Sequence, residues 1–167
     1  YYWFGEHRPA KGFSTEVGVT CYSSPDLCNW TYEGVALPVS SEEGNDIEKG
    51  CIMERPKVIY NAKTGKFVMW FHLELKGEGY AAARAAVAVS DTPAGPYRFV
   101  RSCRVNPGVY PQNMTKAERK AKLDTKDYKT WWTPEWRRAV EQGLFAKRDL
   151  KSGQMSRDMT LFVDTDG

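Results

Sequence analysis

The sequence predicts an all-β chain built from a repeated antiparallel unit and interrupted by one charged helical insertion. Three observations carry this. Strand-like runs bounded by turn residues fill positions 1–105. The same aromatic and turn residues recur at offsets of 66 or 67 residues. Between about 107 and 150 the pattern changes to a lysine- and arginine-rich one at helical spacing. Strict alternation marks a strand and three-to-four spacing marks a helix, so the change of period locates the insertion.

Each element has its own warrant. Tyr1-Tyr2-Trp3-Phe4 is an aromatic run of high β-propensity. Gly18 to Ser23 alternates, and Ser24-Pro25-Asp26-Leu27 breaks it. Trp30-Thr31-Tyr32-Glu33 reads as a short strand ending at Gly34. Lys57–Tyr60 and Lys66–His72 flank Asn61-Ala62-Lys63-Thr64-Gly65, a hairpin loop with glycine at its close. Ala85–Ser90 reads as a strand because it runs into the dense turn Asp91-Thr92-Pro93-Ala94-Gly95-Pro96. Within the insertion, Thr133-Pro134 resembles a helix start and Gly143 a stop.

The repeat is internal and specific. Tyr1–Phe4 aligns with Phe67–Trp70, Ser24-Pro25-Asp26 with Ser90 to Pro93, and Trp30 with Tyr97. Thr160 to Gly167 matches Val58 to Gly65 at an offset near 102, which opens a third unit after the insertion. A unit of about four strands that cannot bury both faces alone is the blade of a β-propeller. The chain then holds about two blades plus the start of a third; a β-sandwich or solenoid is the competing reading. Because it opens inside one strand and closes on a hairpin turn, it is expected to be part of a longer propeller domain spanning 1–167 and beyond.

Composition narrows the function. The 167 residues include 24 Lys plus Arg and 21 Asp plus Glu, a net charge of +3 spread along the chain. No dedicated nucleic-acid surface is expected from that, and no apolar run approaches the roughly 20 residues of a membrane span. Cytoplasmic and secreted settings both fit. The 4 cysteines lack metal-ligand spacing and histidine neighbours, so they are expected to be reduced thiols, mostly buried, with no metal site. Phosphate loops, dinucleotide fingerprints and serine-nucleophile patterns are absent, so no cofactor is expected. Aromatic residues, with 6 Trp, 9 Tyr and 7 Phe, exceed what such a core needs and suggest a surface that stacks on flat faces.

In a propeller the innermost strands line a shared channel, so polar residues that begin them face one pocket. Those starts are Met53-Glu54-Arg55-Pro56-Lys57 and Ser156-Arg157-Asp158-Met159-Thr160, each with a carboxylate beside an arginine. Both are equally consistent with plain ion pairs. Further candidates are Glu6, His7 and Arg8 after the first aromatic strand, and His72 with Glu74 at the end of its counterpart. Trp131 and Trp132 stack on a sugar ring or anchor the insertion. Carboxylates, arginines and aromatics without a cofactor motif suit carbohydrate. Hydroxyls take bidentate polar partners, ring faces stack on aromatics, and glycoside cleavage uses paired carboxylates.

The segments Tyr1–His7, Tyr22–Trp30, Glu54–Asn61 and Ser156–Phe162 together resemble glycoside hydrolase family 43. Glu54-Arg55-Pro56-Lys57 and Ser156-Arg157-Asp158-Met159-Thr160 are similar to the branch holding exo-β-1,3-galactanases, with arabinofuranosidases elsewhere in the family. The resemblance implies a five-bladed propeller and inverting hydrolysis of terminal galactose or arabinose from a plant-type oligo- or polysaccharide. It places the general base before Tyr1 and the general acid beyond Gly167. Asp158 matches the carboxylate that tunes the acid, and Glu54 the one that meets the terminal sugar. Arg55, Lys57 and Arg157 fall beside them. A carbohydrate-binding propeller without catalysis is the alternative.

Overall fold

The computed structural model describes residues 1–8, 10–12, 14–120 and 150–165, and among these the regular structure is entirely β. Seven strands run β1 (Tyr2–Glu6), β2 (Gly18–Ser23), β3 (Thr31–Pro38), β4 (Ile52–Asn61), β5 (Lys66–Glu74), β6 (Arg84–Ser90) and β7 (Arg98–Cys103). They form two antiparallel sheets, β1-β2-β3 and β4-β5-β6-β7, each joined in chain order.

The repeat seen in the sequence is a repeat of register. Glu6 pairs with Val19 in the first sheet and His72 with Ala85 in the second, each 66 residues on. β1, β2 and β3 thus correspond to β5, β6 and β7, while among the described residues no strand of the first sheet matches β4. The β4–β5 turn is closed by Gly65, whose N–H bonds Asn61 O at 2.9 Å with φ at +65°. β3 runs through Gly34 to Pro38 rather than stopping there, because Gly34 takes φ +108° at a register shift and the strand continues beyond it.

The core lies between the sheets. Val19, Cys21, Ala36 and Leu37 of the first meet Met53, Met69, Phe71, Leu73, Ala86 and Ala88 of the second. Fully burying a side chain of the size of Phe71 contributes about 1.5–3 kcal/mol. Buried Thr15 fastens the β1–β2 loop to the start of β4: its hydroxyl accepts from Met53 N–H at 2.9 Å and its N–H donates to Cys51 O. Cys21 and Cys51 are buried free thiols, pushed up by burial to about 11 and about 12. Cys28 and Cys103 are also free but exposed, unlike the buried thiols the sequence suggested, because they lie in a turn and at a strand end.

One expected element differs, and a second lies mostly outside the described residues. Ser156–Thr165 carries no strand, although Thr160-Leu161-Phe162-Val163 has strand propensity. A strand needs a neighbour to take its hydrogen bonds, and Phe162 and Val163 are instead exposed. The helical insertion assigned to 107–150 falls largely on 121–149, outside the described residues. The described part, 107–120, forms turns. One of them is capped reciprocally: Glu118 accepts from Thr115 N–H at 2.7 Å, and Thr115 Oγ1 from Glu118 N–H at 3.2 Å. The chain divides into Tyr1–Cys103 with Ser156–Gly167, and Arg104–Met155. In the second unit Val105 and Gln154 pair as an isolated bridge.

Candidate active site

The site is built where β4 passes the end of β5. Glu54 lies opposite His72, but Lys57 lies opposite Trp70, so β4 carries one extra residue there. This bulge turns Arg55 into the left-handed region at φ +54°. Such a conformation costs a non-glycine residue about 1–2 kcal/mol, and a following proline disfavours helical backbone in the residue before it. Pro56 itself is tolerated because β4 is an edge strand. Two partners hold the strained residue. Its N–H donates to Glu6 Oε1 at 3.1 Å, and its guanidinium pairs with Asp158.

Glu54 is the floor of the site, with the residue only 6% exposed. Its Oε1 accepts from Arg8 Nη2 at 2.7 Å and from the Tyr80 hydroxyl at 2.8 Å. Its Oε2 lies 3.2 Å from His72 Nδ1. Burial pushes the Glu54 carboxyl up, but the Tyr80 hydroxyl, His72 and Arg8 outweigh it and hold the group below the usual carboxylate range. That same hydrogen bond raises Tyr80, so its phenol remains a donor at neutral pH. Arg8 also reaches Glu6 Oε2 from Nε at 2.6 Å, which links the ends of β1 and β4.

Beneath the floor, His72 Nε2 lies 2.8 Å from Glu74 Oε1, and Glu74 Oε2 accepts from Ala83 N–H at 2.8 Å. Both residues are buried, at 1% and 0% exposure. Above it, Arg157 donates to the Tyr80 carbonyl and sits 5.5 Å over its ring. Asp158 is held out in solvent, its side chain 72% exposed.

The structure therefore brings together Glu6, Arg8, Glu54, Arg55, His72, Arg157 and Asp158. It leaves two sequence candidates apart. His7 is exposed, and its backbone N–H bonds Gly18 O at 3.2 Å while its ring takes no part in the cluster. By register the counterpart of His72 is Glu6, not His7. Lys57, beyond the bulge, lines a separate open groove of about 610 Å³ with Tyr2, Trp3, Phe4, Tyr60 and Phe67. Trp131 and Trp132 lie outside the described residues. Sequence reading missed Tyr80, which sits in the Gly77–Ala83 loop where no periodicity points inward. Glu74, singled out with His72 in the sequence, joins the cluster: two residues from His72 in a strand, it shares that side of the strand. Among the described residues no cluster of side chains is arranged to hold a metal.

Chemically, a carboxylate offers about four acceptor positions. Three donors reach Glu54, two on Oε1 and one on Oε2, which leaves one acceptor position, on Oε2, beside the rim residues Arg8, Tyr80 and Arg157. An anionic floor under a rim of guanidinium and phenol donors suits a polyhydroxylated ligand, whose hydroxyls both donate and accept.

No family model matches the chain, and no curated protein matches it; solved structures do. A family 43 β-1,3-galactosidase with galactodeoxynojirimycin is 75% identical over 100% of this chain, with a TM-score of 0.85. The exo-β-1,3-galactanase of Clostridium thermocellum is 38% identical over 100% of the chain, with a TM-score of 0.64. That of Phanerochaete chrysosporium, with β-1,3-galactotriose, is 40% identical over 60% of it, with a TM-score of 0.54. The chain spans 48%, 27% and 22% of these three proteins respectively.

Proposed function

We propose that this chain, by sequence a member of glycoside hydrolase family 43, builds the sugar-gripping part of an exo-acting hydrolase of β-1,3-linked galactan. The observation that carries the reading is the 75% identity, over the whole chain, to a family 43 β-1,3-galactosidase. The charged cluster supports it, because each member has a use in glycoside cleavage.

The two sheets serve as neighbouring blades of a five-bladed propeller, with β4 lining the channel. Glu54, with Arg8 and Tyr80, takes hydroxyls of the terminal sugar, so that binding energy orients the scissile bond. Asp158 supplies the negative charge that raises the pKa of the general acid and keeps it protonated. Arg55 fixes Asp158 in place, and Arg157 packs Tyr80 against the rim. The general acid and base come from other blades, and the reaction inverts the anomeric carbon.

The test uses the protein made at the length of its relatives. It should release galactose from β-1,3-galactan with inverted anomeric configuration by NMR, and the 167-residue chain alone should release none. Preference for arabinofuranosides in an aryl glycoside panel would move the substrate within the family. Galactose binding without any hydrolysis would make it a binding propeller instead.

A further inference from the structure

Two buried carboxylates facing one buried imidazole are an expensive way to fill the space beside Phe71 and Leu73. Breaking such a group is costly, whereas a well-packed apolar set of similar volume is often as stable or more so. The arrangement here is complete. Glu74 Oε2 is taken by Ala83 N–H, Glu74 Oε1 and Glu54 Oε2 by the two ring nitrogens of His72, and Glu54 Oε1 by Arg8 and Tyr80. Each carboxylate oxygen of Glu54 has its own set of donors. Rotating the His72 ring would set its carbons against both carboxylates, so the ring holds one orientation. Only Glu54 of this line meets the rim; His72 and Glu74 lie behind it.

We infer that Glu74, acting through His72, is a positioning residue that locks the Glu54 carboxylate in the rotamer and charge state in which it accepts a sugar hydroxyl. Two carboxylates bracketing one imidazole require a hydrogen in each of the two gaps. Glu74 makes the second gap favourable, which lets His72 donate from Nδ1 to Glu54 rather than present a lone pair to it. The Glu54 carboxylate then needs no proton of its own and stays a full acceptor. This rests on the proposed role of Glu54.

The experiment is a double-mutant cycle in the protein made at the length of its relatives, with β-1,3-galactotriose as substrate and galactose binding read by calorimetry. Glu74→Gln keeps the shape and the acceptor for Ala83 N–H but turns its amide N–H toward His72 Nε2, so the ring carries one hydrogen instead of two and its bond to Glu54 is no longer charge-assisted. It should raise KM about tenfold with kcat within twofold, and cause no further loss when Glu54 is already glutamine. An equal loss in both backgrounds, or an unchanged KM while Glu54→Gln raises it, overturns the relay. Galactose affinity unmoved by Glu54→Gln overturns the role of Glu54 itself, which is a distinct result. Should Glu74→Gln fail to fold, the unaltered protein still decides. With ¹⁵N-labelled histidine, His72 should show two slowly exchanging ring N–H hydrogens, assigned through contacts to Ala85 on the adjacent strand. A single ring N–H overturns the inference.

Discussion

The two sheets of this chain repeat one construction, and their equivalent strand ends stand in different surroundings. Two strands of each, β1 with β2 and β5 with β6, pair in the same register at an offset of 66, whereas the third strands are bulged at different places; both sheets contribute to one core. Among the described residues, β4 lies beside β5 in the second sheet. Equivalent strand ends therefore differ in environment. His72 at the end of β5 is covered by β4 and buried, whereas Glu6 at the end of β1 reaches sideways to Arg8 and the Arg55 backbone. The inner strand turns a strand end into a site. It supplies the floor carboxylate, and its bulge supplies the arginine.

The largest contrast is at Phe71 and its counterpart Gly5. Phe71→Ala should cost about 3–5 kcal/mol, as large core truncations do. Gly5→Ala should stay within about 0.5 kcal/mol, since its added carbon meets only Thr20 Oγ1 at an ordinary 3.6 Å. Urea midpoints read both, and equal losses would break the equivalence of the sheets.

Gly18 and Arg84 form the next pair. Gly18 has φ +136°, and an added carbon would fall 2.0 Å from Leu37 O. Gly18→Ala should cost at least about 2 kcal/mol through forced backbone movement. Arg84 instead spends its side chain on Asp46 at 3.1 Å, a partly exposed pair. Arg84→Ala should cost about 0.5–1 kcal/mol, less in high salt.

Arg55→Gly should separate stability from activity. Glycine accepts the left-handed backbone, a relief of about 1 kcal/mol, while the tie to Asp158 is lost. We expect a protein no less stable by thermal melting, with lowered kcat on β-1,3-galactan. Unchanged kcat would remove Arg55 from the site.

The smallest effect is a pH dependence. The Glu54 carboxyl is held below its ordinary value in the folded chain. Its stabilising contribution is complete above the unfolded value, about 4.3, and is lost as pH falls through the lower folded one. Stability between about pH 5 and 3 should therefore fall less steeply in Glu54→Gln than in the unaltered protein.

Legibility followed the range of the forces involved. The repeat was readable because Tyr1–Phe4 and Phe67–Trp70, and the turns after Ser24 and Ser90, are local preferences written twice. Glu54, Arg55 and Asp158 were readable because charged residues interrupt apolar runs. That Glu54 is a buried floor was not, since its burial comes from Arg8, Tyr80 and His72, between 18 and 46 positions away. Tyr80 and the bulge at Arg55 were hidden for the same reason: both are settled by neighbours on other strands. The strand expected from Thr160 failed in the opposite sense, with local propensity present and no strand beside it among the described residues.

The bulge has one more consequence, for self-association. A bare sheet edge is a template on which a second copy of the chain adds its own strand, and proteins blunt such edges with charge, proline and irregular backbone. Arg55-Pro56-Lys57 places all three along β4. Intermolecular pairing through β4 should therefore be blocked, so the strand that carries the floor carboxylate keeps its edge clear for ligand at high protein concentration.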